Sequence, residues 1–223
     1  MKKIALVLIC CIIATSCSPI FTRGIQYANM YEHKPVTLLV MPPINNTTNV
    51  EAKELLYTSI SKPLVEAGYY VISPYLAMDV LKNESAYDAE LFIDAPLNSF
   101  QQYFGADAVV FSIINAWTKQ GFGVRTDITY IVKSARTSDI LFEKRCDLYL
   151  DLSSNSGGGN SPFAALTDLI VSAVNTATTE HIYAARKANY YIFSDIPRGK
   201  YHPQYMQDKE SSATAKELKA RVK

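Results

Sequence analysis

The chain has 223 residues, of which 48% are hydrophobic and 19% are charged, and its formal net charge is +1. This length predicts one domain with a sizeable hydrophobic core, and the composition excludes collagen, bulk disorder and a disulfide scaffold. The near-neutral charge argues against nucleic acid as a partner, because phosphate binding needs a clustered basic surface.

The first residues predict a bacterial export sequence. Lys2 and Lys3 precede an unbroken apolar run over residues 4–13, and small and polar residues follow it. A helix of that length spans about 15 Å, half of a roughly 30 Å hydrocarbon core, so it is too short to cross a membrane. We therefore predict a signal peptide over residues 1–16.

Cys17, directly after Ser16, resembles the lipobox cysteine of bacterial lipoproteins, which is linked to diacylglycerol and then N-acylated. Ala14 departs from that pattern, since leucine is commonest three positions before the cysteine. Each buried methylene contributes about 0.8 kcal/mol, so two or three acyl chains anchor a protein without a transmembrane helix. The alternative is an ordinary signal peptide in which Cys17 is incidental.

The mature chain is predicted to begin with a lipidated tether over residues 17–34, where polarity is mixed and periodicity weak. An α/β domain over residues 35–189 follows. Its first strand is the apolar run Val36–Met41, which is typical of a strand buried on both faces. A helix then starts at the capping-box pair Thr48 and Glu51 and ends at Gly68. Further elements are predicted at 69–73 (strand), 75–82 (helix), 97–104 (helix) and 107–117 (strand).

The next two strands alternate with a period of two, at 124–133 and 140–152, which predicts an antiparallel hairpin with one wet face and one core face. Lys144 is the one charged residue on the apolar face of the second strand. A three-residue turn would set Arg125 opposite Asp151 and Lys133 opposite Glu143, in favourable pairs.

A glycine-rich loop over 153–161, a helix over 163–187 and an aromatic, then polar, C-terminal tail over 190–223 complete the chain. The element order is β-α-β-α-α-β-β-β-α. Strands joined by helices run parallel, and the last three form an antiparallel meander. The predicted fold is therefore an α/β fold with a mixed sheet packed with helices.

The residues predict no enzyme, no metal site and no cofactor. The chain has three histidines, and none has a partner at metal-ligand spacing. Gly157–Gly159 lacks the Lys-Ser/Thr pair of a phosphate loop, and no GxSxG elbow supplies a serine nucleophile. Cys146 has an inward strand position, where a free cysteine behaves as a small hydrophobe.

The tail is the strongest candidate for a binding site, because large rings interspersed with proline and glycine either dock on their own domain or bury against another chain. The sequence leaves both alternatives open. The candidate partner-binding residues are Tyr201, His202, Pro203 and Tyr205, joined by Pro42, Pro43 and Asn45 from the loop after the first strand. That loop is included because the carboxyl ends of parallel strands line a crevice.

These residues favour a lipid-anchored binding module that associates with another copy of itself or with a protein of the cell envelope. The alternative is an envelope lipoprotein that binds a small molecule or a glycan. Trp117 and Phe122, beside the Gly121–Gly123 turn, would then stack on a sugar ring.

Three motifs, together with the lipobox-like cysteine, resemble a bacterial lipoprotein family that includes a meningococcal surface-antigen candidate. They are MPPINNT at 41–47, FGADAVVF at 104–111 and IPRGKYHPQY at 196–205. The resemblance implies a fold similar to the amino-terminal domain of TolB and no catalytic residues. It also implies an anchor in the outer membrane, on the periplasmic side, and a part in an envelope transport or assembly system. Genes of this family often lie beside one for a lipoprotein similar to the curli export channel, which is therefore an expected partner.

The chain departs from this family in its tail. Members often have Gly-Pro-Tyr-His where this chain has Gly199-Lys200-Tyr201-His202. Because lysine does not restrict the backbone as proline does, a less rigid tail is predicted.

Overall fold

The computed structural model describes residues 21–153 and 177–223, which form a mixed sheet with helices packed on it. The helices are α1 (Arg23–Gln26), α2 (Ala28–His33), α3 (Ala52–Glu66), α4 (Pro74–Asn83), α5 (Asn98–Phe104) and α6 (Ala177–Phe193), with a 3-10 turn at Ala89–Leu91. The strands are β1 (Thr37–Val40), β2 (Ile44–Asn45), β3 (Tyr70–Val71), β4 (Ala108–Gln120), β5 (Gly123–Ser134), β6 (Ile140–Asp151) and β7 (Glu217–Val222). The predicted signal peptide, Cys17, the glycine-rich loop and the start of the last long helix lie outside the described residues.

The strand order in the sheet is β3-β1-β4-β5-β6-β7, with β2 paired to the later part of β4. β1 runs parallel to β3 and to β4, whereas β4, β5 and β6 form an antiparallel meander. The predicted mixed sheet is confirmed. Its finer likeness to the amino-terminal domain of TolB stays a prediction.

The parallel part of the sheet is buried on both faces, as the apolar run of β1 predicts. Leu38 and Val40 belong to a core that includes α3 and α6, while Leu39 belongs to a second core that includes α4 and α5. Because successive strand residues point to opposite faces, one continuous apolar run supplies both cores.

Helix α3 begins and ends close to its predicted bounds. At its start, the predicted capping box is replaced by Asn49, whose Oδ1 accepts a hydrogen bond from the Ala52 amide at 3.1 Å. At its end, Gly68 has a φ of +93°, the left-handed conformation that glycine adopts without strain.

The β5–β6 hairpin forms, but its predicted register is wrong. β5 ends at Ser134 and β6 begins at Ile140, so the connection is longer than the predicted three-residue turn. Arg125 consequently lies opposite Tyr149 instead of Asp151. Lys133 lies opposite Ile140, instead of Glu143, because a bulge follows Val132.

The wet face of the hairpin carries ion pairs that differ from the predicted Arg125–Asp151 and Lys133–Glu143 pairs. Asp127 lies directly opposite Asp147, an arrangement in which like charges repel. Two arginines relieve this repulsion with paired hydrogen bonds: Arg145 contacts Asp127 at 2.8 and 2.6 Å, and Arg125 contacts Asp147 at 2.9 Å twice.

Both ends of the described chain are more ordered than the sequence predicts. The end of the predicted tether forms α1 and α2, in which Met30 and Tyr31 are buried. The end of the predicted tail forms β7, which pairs parallel with β6 from Arg145 to Leu150. The two helices, of four and six residues, are too short to show a helical period. β7 alternates three charged with three apolar residues, a period-two pattern that the prediction of a polar tail missed.

Candidate functional site

The structure does not bring the two halves of the predicted partner site together. Pro42 and Pro43 are buried, so they present no surface to a partner. Asn45 is half-buried, and its side chain donates to the Asn49 carbonyl oxygen at 2.8 Å and accepts from the Thr47 amide at 3.1 Å. These three residues therefore shape the loop before α3.

The tail residues lie at the other end of α3, whose 15 residues span about 22 Å at 1.5 Å per residue. The Gly199 amide donates to the Ala67 carbonyl at 2.8 Å, and the Tyr201 amide donates to the Gly68 carbonyl at 3.0 Å. The Tyr69 hydroxyl donates to the Pro197 carbonyl at 2.6 Å. The tail is thus docked on its own domain, which is one of the two alternatives, and this docking occurs with lysine at position 200.

Two glycines make this docking possible. A Cβ at Gly199 would lie 2.5 Å from the Gly68 carbonyl oxygen, and a Cβ at Gly68 would lie 2.5 Å from the His202 amide nitrogen. Since real Cβ atoms do not approach other atoms so closely, any side chain at either position displaces the tail.

The docked tail leaves aromatic and apolar side chains exposed near Gly68. Tyr201 is 66% exposed, and Pro203 beside it is exposed as well. Val65 and Tyr70, which flank Gly68 in sequence, are also exposed apolar side chains. We name Val65, Tyr70, Tyr201 and Pro203 the corner surface. Exposed apolar and aromatic clusters of this kind mark protein interfaces.

His202 and Tyr205, the other two predicted tail residues, lie in the turns that follow Tyr201. Both are half-buried; His202 Nδ1 accepts from the Gln204 amide, and the Tyr205 amide donates to the His202 carbonyl, each at 3.0 Å. Burial, together with the nearby Arg198 guanidinium, lowers the pKa of His202 below its usual value. The imidazole is therefore neutral at pH 7 and shapes the turn as a hydrogen-bond acceptor.

A buried polar cluster that sequence reasoning missed fixes the tail from the other side. Lys144 is fully buried, and its ammonium donates to Asp195, to the Tyr27 hydroxyl and to the Thr214 hydroxyl. These residues come from β6, from the segment after α6, from α1–α2 and from the segment before β7. The pattern that could have revealed the cluster is the single lysine on the apolar face of β6.

Arg23 extends this cluster to a second carboxylate. Its Nη1 donates to Asp208 Oδ2 at 3.1 Å, its Nη2 donates to the Ser194 carbonyl at 2.9 Å, and its Nε lies 3.7 Å from Asp195. We name Arg23, Tyr27, Lys144, Asp195, Asp208 and Thr214 the polar clamp. Two cations balance two carboxylates in it, as burial of charge requires.

The electrostatics of the polar clamp are those of a structural element. Burial would raise the pKa of Asp195, but hydrogen bonds from Lys144 and Tyr27 hold it below its usual value. Burial lowers the pKa of Lys144 against the attraction of Asp195. Because both side chains are sealed from solvent, they hold chain segments together and are closed to a substrate.

The alternative glycan site lacks the exposed tryptophan that it requires. Trp117 is only 2% exposed, and its indole N–H donates to His181 Nδ1 at 2.7 Å. A buried indole cannot stack on a sugar. Phe122 is exposed at the β4–β5 turn, but Trp117 is not, so the predicted pair of exposed rings is absent from this turn.

Neither a metal site nor a membrane span occurs in the described parts of the chain. Over residues 21–153 and 177–223, no three His, Cys, Asp or Glu side chains lie close enough together to hold a metal ion. Within the same two ranges, no helix combines the length and the apolar character needed to cross a membrane.

Comparison with known proteins agrees with the motifs. A family model described as "Putative lipoprotein GNA1162-like" matches residues 25–195. "Putative lipoprotein NMB1124/NMB1162" of Neisseria meningitidis serogroup B (strain ATCC BAA-335 / MC58) is 26% identical over 199 residues, which are 87% of this chain and 91% of that protein.

Among solved structures, lipoprotein GNA1162 from Neisseria meningitidis matches with a TM-score of 0.46 and 22% identity, over 62% of this chain and 96% of that one. A PelC dodecamer from Paraburkholderia phytofirmans matches with a TM-score of 0.42 and 11% identity, over 72% of this chain and 88% of that one. The family model covers most of the described domain, from α1 through Asp195 of the polar clamp. The chain therefore belongs to the GNA1162-like lipoprotein family.

Proposed function

We propose that this lipoprotein is a non-enzymatic binding module of the bacterial envelope, anchored through acylated Cys17 to the periplasmic side of the outer membrane. It takes part in an envelope transport or assembly system. It binds another envelope protein through the corner surface. The observation that carries this proposal is the docked tail, which holds Tyr201 exposed on a rigid support.

The corner surface has the properties of a prebuilt interface. Its backbone is fixed by hydrogen bonds to the turn between α3 and β3, so little ordering entropy is lost when a partner binds. Tyrosine supplies a large contact area with few rotatable bonds, and β3 beside it is one of the two edge strands in the strand order of the described sheet.

The position of the corner surface also supports a partner held at the membrane. Tyr70 pairs with Thr37 at the start of β1, which is the end of the sheet where Ala108 lies opposite Ser134. β6 begins at the same end, with Asn29 of α2 bonded to the Ile140 carbonyl. The corner surface and the beginning of the described chain thus share one end, within reach of another membrane-anchored protein. A lipoprotein similar to the curli export channel is such a partner, and so is a second copy of this chain.

No catalytic step is part of the proposal. The most unusual ionisable pair, Lys144 with Asp195, is sealed inside the polar clamp. Burial raises the pKa of the Cys146 thiol to about 12, so this cysteine is not a nucleophile at neutral pH.

Site-specific photo-crosslinking in intact cells tests the partner surface. A photoreactive phenylalanine at Tyr201 is expected to give a discrete adduct whose second component mass spectrometry identifies as an envelope protein or as this chain. The matched control is Tyr103 on α5, which is another exposed tyrosine on a different face. Equal adducts at both positions, or none at Tyr201, would overturn the corner surface as the binding site.

Metabolic labelling with palmitate tests the anchor separately. The wild-type chain is expected to incorporate the label and to fractionate with the outer membrane, whereas Cys17→Ser does neither. Palmitate incorporation that survives in Cys17→Ser would contradict acylation at this residue.

A further inference from the structure

Three exposed apolar side chains mark the end of the domain where the described chain begins. Phe21, directly before α1, is 57% exposed, and Ile25 within α1 is 68% exposed. Ile140 at the start of β6 is also exposed. Ile25 and Ile140 line one groove of about 310 Å³, which also contains Leu141, Phe142 and the ion-paired Glu143 and Lys216. Phe21, Ile25 and Ile140 are thus apolar side chains that the described residues leave open to water.

This end of the domain is rigid. The Asn29 side chain donates to the Ile140 carbonyl at 2.8 Å, which ties α2 to β6. The Gly24 amide donates to the Lys209 carbonyl at 2.9 Å, and the Ala213 amide donates to the Phe21 carbonyl at 2.7 Å. The backbone that carries the three apolar side chains is therefore fixed by hydrogen bonds, while the side chains themselves stay exposed.

The length of the chain before Phe21 limits how far this end can move from the anchor. Phe21 lies four positions after Cys17, and a fully extended chain spans at most about 3.6 Å per residue. The Cα atoms of Cys17 and Phe21 thus lie no more than about 14 Å apart on any path. Acyl chains on Cys17 hold it at the bilayer surface, so Phe21 stays within that distance of the lipid headgroups.

The opposite end of the sheet is far from the anchor. Phe122 lies at the β4–β5 turn, next to Gly123, whereas Ile140 lies opposite Lys133 at the other end of β5. A strand rises about 3.4 Å per residue, so these two exposed apolar residues are separated by roughly 35 Å. One end of the domain is held at the membrane while the other is free to point away.

We propose that Phe21, Ile25 and Ile140 form a membrane-contact surface, which enters the interfacial region of the lipid bilayer and fixes the orientation of the domain on it. This inference rests on the proposed acylation of Cys17. Exposed phenylalanine and isoleucine side chains are typical of surfaces that bury about 5–10 Å into the headgroup boundary. The occupant is the bilayer itself, because the anchor keeps it in reach of these residues at all times.

Fluorescence quenching by lipids tests the surface. The lipidated, full-length Ile25→Cys and Phe122→Cys variants are labelled with an environment-sensitive dye and reconstituted in vesicles of phosphatidylethanolamine and phosphatidylglycerol. The buried Cys146 stays unlabelled in the folded protein. We expect emission from position 25 to shift to shorter wavelength, and nitroxide lipids to quench it at least about threefold more than at position 122.

A second variant distinguishes contact from mere proximity. Adding Phe21→Ser and Ile140→Ser to the labelled Ile25→Cys chain is expected to lower its quenching towards the value at position 122. Because both residues are exposed, the fold is retained, and thermal melting checks this. Quenching that is equal at positions 25 and 122 in acylated protein would overturn the membrane-contact surface alone.

The mass of the labelled protein shows whether Cys17 is acylated, so it distinguishes absence of the membrane contact from absence of the lipid anchor. A chain that lacks acyl groups keeps a free thiol at Cys17 and takes at least one further dye, and more if Cys10 and Cys11 remain. That result would overturn the proposed function together with the contact surface.

Discussion

The Lys144 ammonium and the Asp195 carboxylate form an ion pair in the interior of the domain, where neither side chain reaches solvent. Removing the cation with Lys144→Met would leave Asp195 buried, with Arg23 at 3.7 Å as its remaining cationic partner. We expect a loss of about 3–5 kcal/mol in the free energy of unfolding, measured by urea denaturation.

The matched control for that prediction is Lys62→Met, which breaks the exposed Lys62–Glu66 pair on α3. It is expected to change the free energy of unfolding by less than about 1 kcal/mol, because solvent screens such pairs. The double variant Lys144→Met/Asp195→Asn is expected to recover part of the loss, since it removes the buried charge. Equal effects of Lys144→Met and Lys62→Met would refute the role of the polar clamp.

Acid should weaken the fold through Asp195. Although its burial works in the opposite direction, hydrogen bonds from Lys144 and Tyr27 keep the pKa of Asp195 below its usual value. A carboxylate whose folded pKa is depressed adds stability above its unfolded pKa of about 3.9, and this stability is lost as pH falls through the folded pKa. The dependence of unfolding free energy on pH below about 5 should therefore be shallower in Asp195→Asn than in wild type. Glu66→Gln, at an exposed carboxylate, should leave the wild-type dependence intact.

The tail should undock when Gly199 gains a side chain. In Gly199→Ala the new Cβ meets the Gly68 carbonyl oxygen, so we expect a loss of about 1–3 kcal/mol. Amide hydrogen exchange at Tyr201 should become faster at the same time. Gly105→Ala is the control: Gly105 has a φ of +67°, but no atom lies within 4 Å of the place that a Cβ would take, so Tyr201 should stay protected. Unchanged exchange at Tyr201 in Gly199→Ala would show that the contact is dispensable.

The Cys146 thiol should resist modification in the folded protein. Burial raises the pKa of this thiol to about 12, and reagents attack the thiolate. A maleimide is therefore expected to react at least about 100-fold more slowly in buffer than in urea. The exposed position in Phe122→Cys supplies the fast reference rate, and a Cys146 that matched it would contradict the buried placement.

Local patterns predicted the parts of the fold that depend on short-range physics. The apolar run of β1, the alternation in β5 and β6 and the cap at Gly68 each act through neighbours in sequence, and the structure confirms them. The register of the β5–β6 hairpin was missed because a loop of unforeseen length sets it. The length of the turn sets which residues pair across the hairpin, and the alternation of apolar residues within each strand does not specify that length.

The candidate site was predicted only in part. Aromatic residues and glycines identified the tail, but docking depends on Gly68, which lies more than a hundred residues away in the chain. The polar clamp is also assembled from four distant segments. The one local sign of the polar clamp is Lys144, a charged residue on the apolar face of a predicted strand. No local pattern points to Asp195 or Thr214. Pro42 and Pro43 were assigned to the partner site from topology alone, and the structure buries them.

The last strand, β7, has a consequence for how this protein is made. It pairs with β6, and the Arg221 guanidinium donates a hydrogen bond to the Asp151 carboxylate at 2.7 Å. At the other end of the described chain, Thr22 forms an antiparallel β-bridge with Ser212. β7 and the segment before it, which add a strand to the sheet and supply Thr214 to the polar clamp, thus leave the ribosome after β6 and α6. A nascent chain cannot close this structure early, because domains assemble only once their segments are available.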